Sequence, residues 1–142
     1  VSVPWTLFEH TADVGVEVRA ATLDALFVDA AAGLCEVITD VSRIAAREER
    51  TFEVAAEALD LLLVAWLEEL LYRFDTAGEL YPRGEVRISG DGGAPSLRAQ
   101  MRGERFDAAR HPLKVQVKAI TYHGLELARD EQGWRARVIF DL

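Results

Sequence analysis

The sequence predicts an α+β domain in which two helices pack on one face of a mostly antiparallel sheet. Two long stretches repeat apolar residues at helical spacing, and the shorter stretches around them alternate apolar with polar residues. The order is two strands, a helix, a strand, a second helix and then several strands, which is the order of an α+β fold. At 142 residues the chain is long enough to bury a real core, and the expectation is one domain over residues 1–142.

Near the start, in FEHTADVGVEV, Leu7 and Phe8 belong to one strand. After a polar break at His10, Thr11 and Asp13, Val14, Val16 and Val18 alternate with Gly15, Glu17 and Arg19, the period of a half-buried second strand. A helix is predicted over about residues 22–39, with Thr22 as N-cap and Leu23, Leu26, Phe27, Ala30, Leu34 and Val37 on one face. RTFEVAAE then alternates as a strand.

The second helix, about residues 58–75, is the most apolar. Leu59, Leu62, Leu63, Trp66, Leu67, Leu70, Leu71 and Phe74 form its broad stripe, and Gly78 stops it. Four strand-like stretches close the chain: LYPRGEVRISG, SLRAQMRGERF, KVQVKAITYHGLELAR and GWRARVIFDL. DGGAP supplies the turn between the first two and DEQG a terminal hairpin between the last two.

Half of the residues are hydrophobic and 28% are charged, an ordinary globular balance. No apolar run approaches the length that crosses a bilayer, and the N-terminal residues have no basic-then-apolar pattern. The expectation is a cytoplasmic protein without a membrane partner. A single cysteine, Cys35, excludes an internal disulfide framework and reads as an inert core thiol. Nothing in the pattern sets an oligomeric state. The net charge of −8 argues against gripping nucleic acid unaided, since such binding draws on clustered Lys and Arg. The densest basic segment, Arg43 to Arg50, is interrupted by Glu48 and Glu49. An acidic chain suits a basic protein partner or a cation.

Motifs for chemistry are few. His10, His111 and His123 lack the spacing of a helical zinc motif, so each reads as structural or superficial. Glu68 and Glu69 are adjacent on a helix and point apart, as a solvated face does. GDGG has neither the lysine nor the following helix of a phosphate-binding loop. Two acidic positions remain. Asp13 sits in a turn, which turn chemistry alone would explain, because Asp bonds nearby backbone. Asp141 follows the apolar strand VIF and precedes Leu142. If the last strand lies beside the first, Asp141 and the terminal group approach Asp13, several anionic oxygens meet, and a hard divalent ion is their natural occupant.

The segments FEHTADVGVEV, VITD, DLLLVAWLEELLYRFDT, VKAITYH and VIFDL, in this order, resemble the archease family over essentially the whole chain. The family's final pair is commonly Asp-Ile, so Leu142 is a departure, and a harmless one if only its main-chain or terminal oxygens serve. The resemblance implies a protein without catalytic activity of its own. It would activate an RtcB-type tRNA-splicing ligase by promoting GTP-dependent guanylylation of the ligase histidine and repeated turnover. RNA or tRNA would be met through the ligase. The resemblance also implies a divalent cation, calcium foremost, with Mg2+ or Mn2+ as alternatives, at Asp13, Asp141 and Leu142. Lys118, in VKAITY, is implied as a further functional position beside it. Two rival classes stand next to this reading: a small metal-dependent phosphoester hydrolase using Asp13 and Asp141, and a purely structural interaction module.

Overall fold

The structure is a computed structural model, and it describes residues 13–90 and 93–142. The predicted opening strand at Leu7 and Phe8, together with His10 and Thr11, lies outside the described residues. Helix α1 (Leu23–Ile38) and helix α2 (Leu59–Ala77) fall where the apolar spacing puts them. Thr22 caps α1 by accepting the Ala25 N–H at 3.1 Å. Gly78 ends α2 in the left-handed conformation at φ 69° and donates its N–H to the Phe74 carbonyl at 2.8 Å.

The strands are β1 (Asp13–Ala20), β2 (Glu48–Ala55), β3 (Glu79–Ser89), β4 (Ser96–Arg105), β5 (Ala119–Ile120), β6 (Glu126–Asp130) and β7 (Gly133–Asp141). The α+β class is as predicted, and the strands divide between two antiparallel sheets. In one, β4 lies between β2 and β3; in the other, β7 lies at the centre, with β1 on one side and β5 and β6 on the other. Both helices touch strands of both sheets. Alternation along each strand turns one set of residues inward to the helices: Val14 from β1, Ala136, Val138 and Phe140 from β7, and Leu97, Ala99 and Met101 from β4. Trp66 is fully buried, packs edge-on to Phe52 at 5.4 Å and donates its indole N–H to the Phe27 carbonyl at 3.0 Å. That bond ties α2 to α1. Gly33 of α1 lets the helix approach β1, since a Cβ there would stand 3.1 Å from Val16 Cγ1.

KVQVKAITYHGLELAR forms less strand than its alternation suggests. Only Ala119–Ile120 and Glu126–Asp130 pair with β7. The preceding KVQV keeps the alternation, with Val117 buried and Val115 packed against the core, and Lys114 donates its N–H to the Ile38 carbonyl at 2.8 Å. Period-two burial survives there without a sheet partner among the described residues.

The segment after β4 is pinned by a buried carboxylate. Glu104, 3% exposed, accepts the Ala45 N–H at 2.7 Å and the side chains of Arg110 and His111, and Arg47 stands 3.4 Å away. His111, 1% exposed, accepts the Asp107 N–H on Nδ1 at 2.8 Å. Its proton therefore lies on Nε2, which donates toward Glu104 Oε2 at 3.0 Å and the Arg43 carbonyl at 3.1 Å. Burial pushes the Glu104 carboxyl up, but the Ala45 amide, Arg110 and His111 outweigh it and hold it near about 2.

A carboxylate depressed in the fold stabilises it above its ordinary value of 4.5, and that contribution is lost as pH falls toward 2. In thermal melts, the stability difference between the native protein and Glu104→Gln should therefore be largest at neutral pH. It should shrink steadily below about pH 4.5. A difference that stays constant from pH 7 to pH 2 would contradict this assignment.

Candidate functional site

The first described strand and the last, β1 and β7, meet in an unbroken antiparallel register from Asp13↔Asp141 to Ala20↔Trp134. Because residues directly opposite share a face, the buried pair Val14↔Phe140 fixes the direction of its neighbours. Asp13 and Asp141 therefore both project from the outer, solvent-facing side, and both are exposed. Directly opposed residues in such a ladder hold their Cβ atoms roughly 4.5–5.5 Å apart. Among the described residues neither carboxylate takes part in an ion pair, whereas Glu104 and Glu79 inside the protein are each surrounded by arginines.

The other side of Asp141 is β5. Ala119 stands opposite Asp141, and Lys118 donates its backbone N–H to the Asp141 carbonyl at 2.7 Å. Thr121 secures this arrangement twice: its N–H and its hydroxyl both donate to the Ile139 carbonyl, at 2.9 and 2.8 Å. Leu142 is half-buried and packs against the core, which holds the end of β7 in place. The structure thus brings Asp13, Asp141, Leu142 and the backbone of Lys118 to one end of one sheet. Thr121 lies in VKAITYH, and a threonine in a strand carries no signal of its own in the sequence.

The other candidates lie elsewhere. His111 is the buried partner of Glu104. His123 is exposed beside Tyr122, itself 60% exposed, at the end of β5. Cys35 is buried, and burial pushes its thiol up to about 12, so it is inert at neutral pH. Glu68 is exposed and Glu69 half-buried on the outer side of α2.

The donor chemistry of the sheet end suits a hard cation. Two carboxylates and main-chain oxygens are oxygen ligands, and ions such as Ca2+ take 6–8 of them. Among the described residues no group of three or more His, Cys, Asp or Glu side chains converges to hold a metal. Asp13 and Asp141 would offer such an ion two side-chain donors. Farther along the same face, Arg137 lies between Glu17 and Glu126 in the adjoining strands. The carboxylate end of this sheet is acidic in sum. No helix among the described residues is long and apolar enough to cross a membrane.

The profile of the Archease protein family (MTH1598/TM1083) matches residues 5–142. The protein archease of Pyrococcus furiosus is 39% identical over 139 residues, covering 97% of this chain and 98% of its own. That of Methanopyrus kandleri is 39% identical over 142 residues, covering 99% and 100%. The solution structure of Methanobacterium thermoautotrophicum protein 1598 superposes with a TM-score of 0.76 at 34% identity, over 95% of this chain and 96% of that one. The crystal structure of a Thermotoga maritima protein, described as an archease and possible chaperone, shares the fold with a TM-score of 0.62 at 21% identity, over all of both chains.

Like charges placed directly opposite on a sheet destabilise it by roughly 0.2–1 kcal/mol. In the presence of a chelator, Asp13→Asn should therefore be as stable as the native protein or more stable, by up to about 1 kcal/mol in a urea titration. A clear loss of stability would show that the Asp13 carboxylate serves the fold itself.

Proposed function

The chain belongs to the archease family, and we propose that it is an accessory factor of an RtcB-type RNA ligase. It promotes GTP-dependent transfer of GMP to the ligase's active-site histidine and allows repeated turnover, and it catalyses nothing alone. The observation that carries this reading is the register pair Asp13↔Asp141, two exposed carboxylates opposed on a sheet end without a basic partner among the described residues. Such a pair is an arrangement for meeting positive charge from outside the chain.

Asp13, Asp141 and the main-chain oxygens of Leu142 would hold a divalent cation, calcium foremost, with Mg2+ or Mn2+ served by the same oxygen donors. Bound there, the ion would supply positive charge against the phosphate charge that develops during transfer to histidine. Lys118, tethered by its backbone to Asp141, carries a cation to the same sheet end, where it places the nucleotide triphosphate or an acidic group of the ligase. The overall charge of −8 supports the division of labour: the ligase holds the RNA, and this protein addresses the basic, nucleotide-binding ligase.

The decisive measurement is GMP transfer to the cognate ligase with and without this protein. Stimulation by the native protein is expected, and Asp13→Ala, Asp141→Ala and Lys118→Ala should fold normally yet lower it roughly tenfold or more, the scale on which single electrostatic contacts act. Substitution at the distant Glu69 should leave it intact. Full stimulation by the two aspartate variants would sink the mechanism, and no stimulation by the native protein would sink the function. Turnover of a phosphoester by the protein alone would favour a hydrolase.

A further inference from the structure

Inward packing of Leu97, Ala99 and Met101 turns the alternate residues of β4 to the outer face of its sheet. There Arg98 stands directly opposite Arg87 of β3, and both are exposed. Like charges directly opposite destabilise a sheet, so such a pair calls for neutralisation. Two other arginine pairs are opposed in the ladders, and each is provided for. At Arg19↔Arg135, Asp130 lies 3.8 Å from the first and Glu126 3.9 Å from the second. At Arg83↔Arg102, Arg83 donates to the Ile44 carbonyl at 2.7 Å and Arg102 meets Glu85 at 2.9 Å. Arg87↔Arg98 differs. Glu53 lies 3.5 Å from Arg98, with the two side chains 72% and 74% exposed, and among the described residues Arg87 makes no ion pair.

Further donors adjoin the pair. Ser89 and Ser96, two residues along from Arg87 and Arg98 and therefore on the same face, are also opposed, with their hydroxyls 3.2 Å apart. One hydroxyl proton is used between them, and the other is left to donate outward. We propose that Arg87, Arg98, Ser89 and Ser96 form a binding site for a phosphate monoester, carried by a free mononucleotide or by the end of an RNA strand. A phosphate monoester bears close to two negative charges at neutral pH, which answers two opposed guanidiniums. Its three terminal oxygens accept from both arginine forks and a hydroxyl together, whereas a carboxylate has only two oxygens to offer. Glu49, Glu53 and Glu85 on the same face repel an extended polyanion, so the site takes a single phosphate group. It lies on the β2–β4–β3 sheet, apart from Asp13 and Asp141 on the other, and stands independently of the ligase reading.

The test follows backbone amide resonances while inorganic phosphate is titrated at fixed ionic strength, with acetate as the reference anion and urea denaturation of each variant. Phosphate should shift the amides of residues 87–89 and 96–98 saturably, and acetate should not. Arg87→Gln and Arg98→Gln should each weaken binding roughly tenfold or more, the scale of a lost hydrogen bond to a charged group. Arg102→Gln should bind as native protein does. Arg87→Gln should also be at least as stable as native, since it removes a like-charge opposition. GMP and an oligoribonucleotide phosphorylated at its end then distinguish the two sources: the tighter binder names the ligand, and the same oligoribonucleotide ending in a hydroxyl should not bind. Shifts that acetate reproduces, or that persist in the Arg87→Gln, Arg98→Gln double variant, overturn the proposal and leave an adventitious ion only. A destabilised Arg87→Gln also overturns it, because the charge would then serve the fold.

Discussion

Everything at the candidate site depends on the antiparallel pairing of β1 with β7. It joins the first described strand to the last, so the loop it closes is long, and its entropic cost is met only by burying the inward residues Val14, Val16, Ala136, Val138 and Phe140 against the helices. The period of two then dictates what happens on the reverse side. With Val14 and Phe140 turned inward as partners, Asp13 and Asp141 must be partners facing outward. A slip of one residue would separate the two carboxylates and expose the phenylalanine. The hydrophobic core thus sets the geometry of the charged site.

The protein treats its carboxylates in two ways. Glu104 and Glu79 are buried among cations and hydrogen-bond donors: Ala45 N–H, Arg110 and His111 for the first, and Arg73, Arg50 and Tyr81 for the second. Both are held below their ordinary range because these partners outweigh burial. Their charges are spent inside the fold, fastening the segment after β4 and the start of β3. Asp13 and Asp141 are left facing one another in solvent. A charge satisfied internally is a structural fastening, and one left opposed to its like is available to something else.

Much of this was legible in the sequence. The two helices follow from their apolar stripes, with Thr22 and Gly78 marking one end of each, and the strand limits follow from alternation. The pairing of Asp13 with Asp141 was readable only as a condition, because alternation shows that a strand has an inner face but not which strand lies beside it. For the same reason a single sheet was the natural expectation, and the division into two depends on pairings made far along the chain. In KVQV, Val115 and Val117 pack inward with the period of a strand, while among the described residues the segment is anchored to the end of α1 through Lys114 and Ile38. The Glu104–His111 cluster was out of reach, since its partners come from Arg43 to Arg47 and from Asp107 to Arg110, segments that carry no periodic signal.

The central proposal is that the β1–β7 register builds a cation-seeking site at one end of the sheet. The most direct measurement is paramagnetic line broadening of backbone amide resonances on titration with trace Mn2+. The account predicts that amides of residues 13–15, 118–121 and 139–142 broaden first and together, and that a charge-neutral Asp13→Asn, Asp141→Asn double variant abolishes the effect. Broadening centred elsewhere, for instance on Glu68 and Glu69, or persisting unchanged in the double variant, would contradict it.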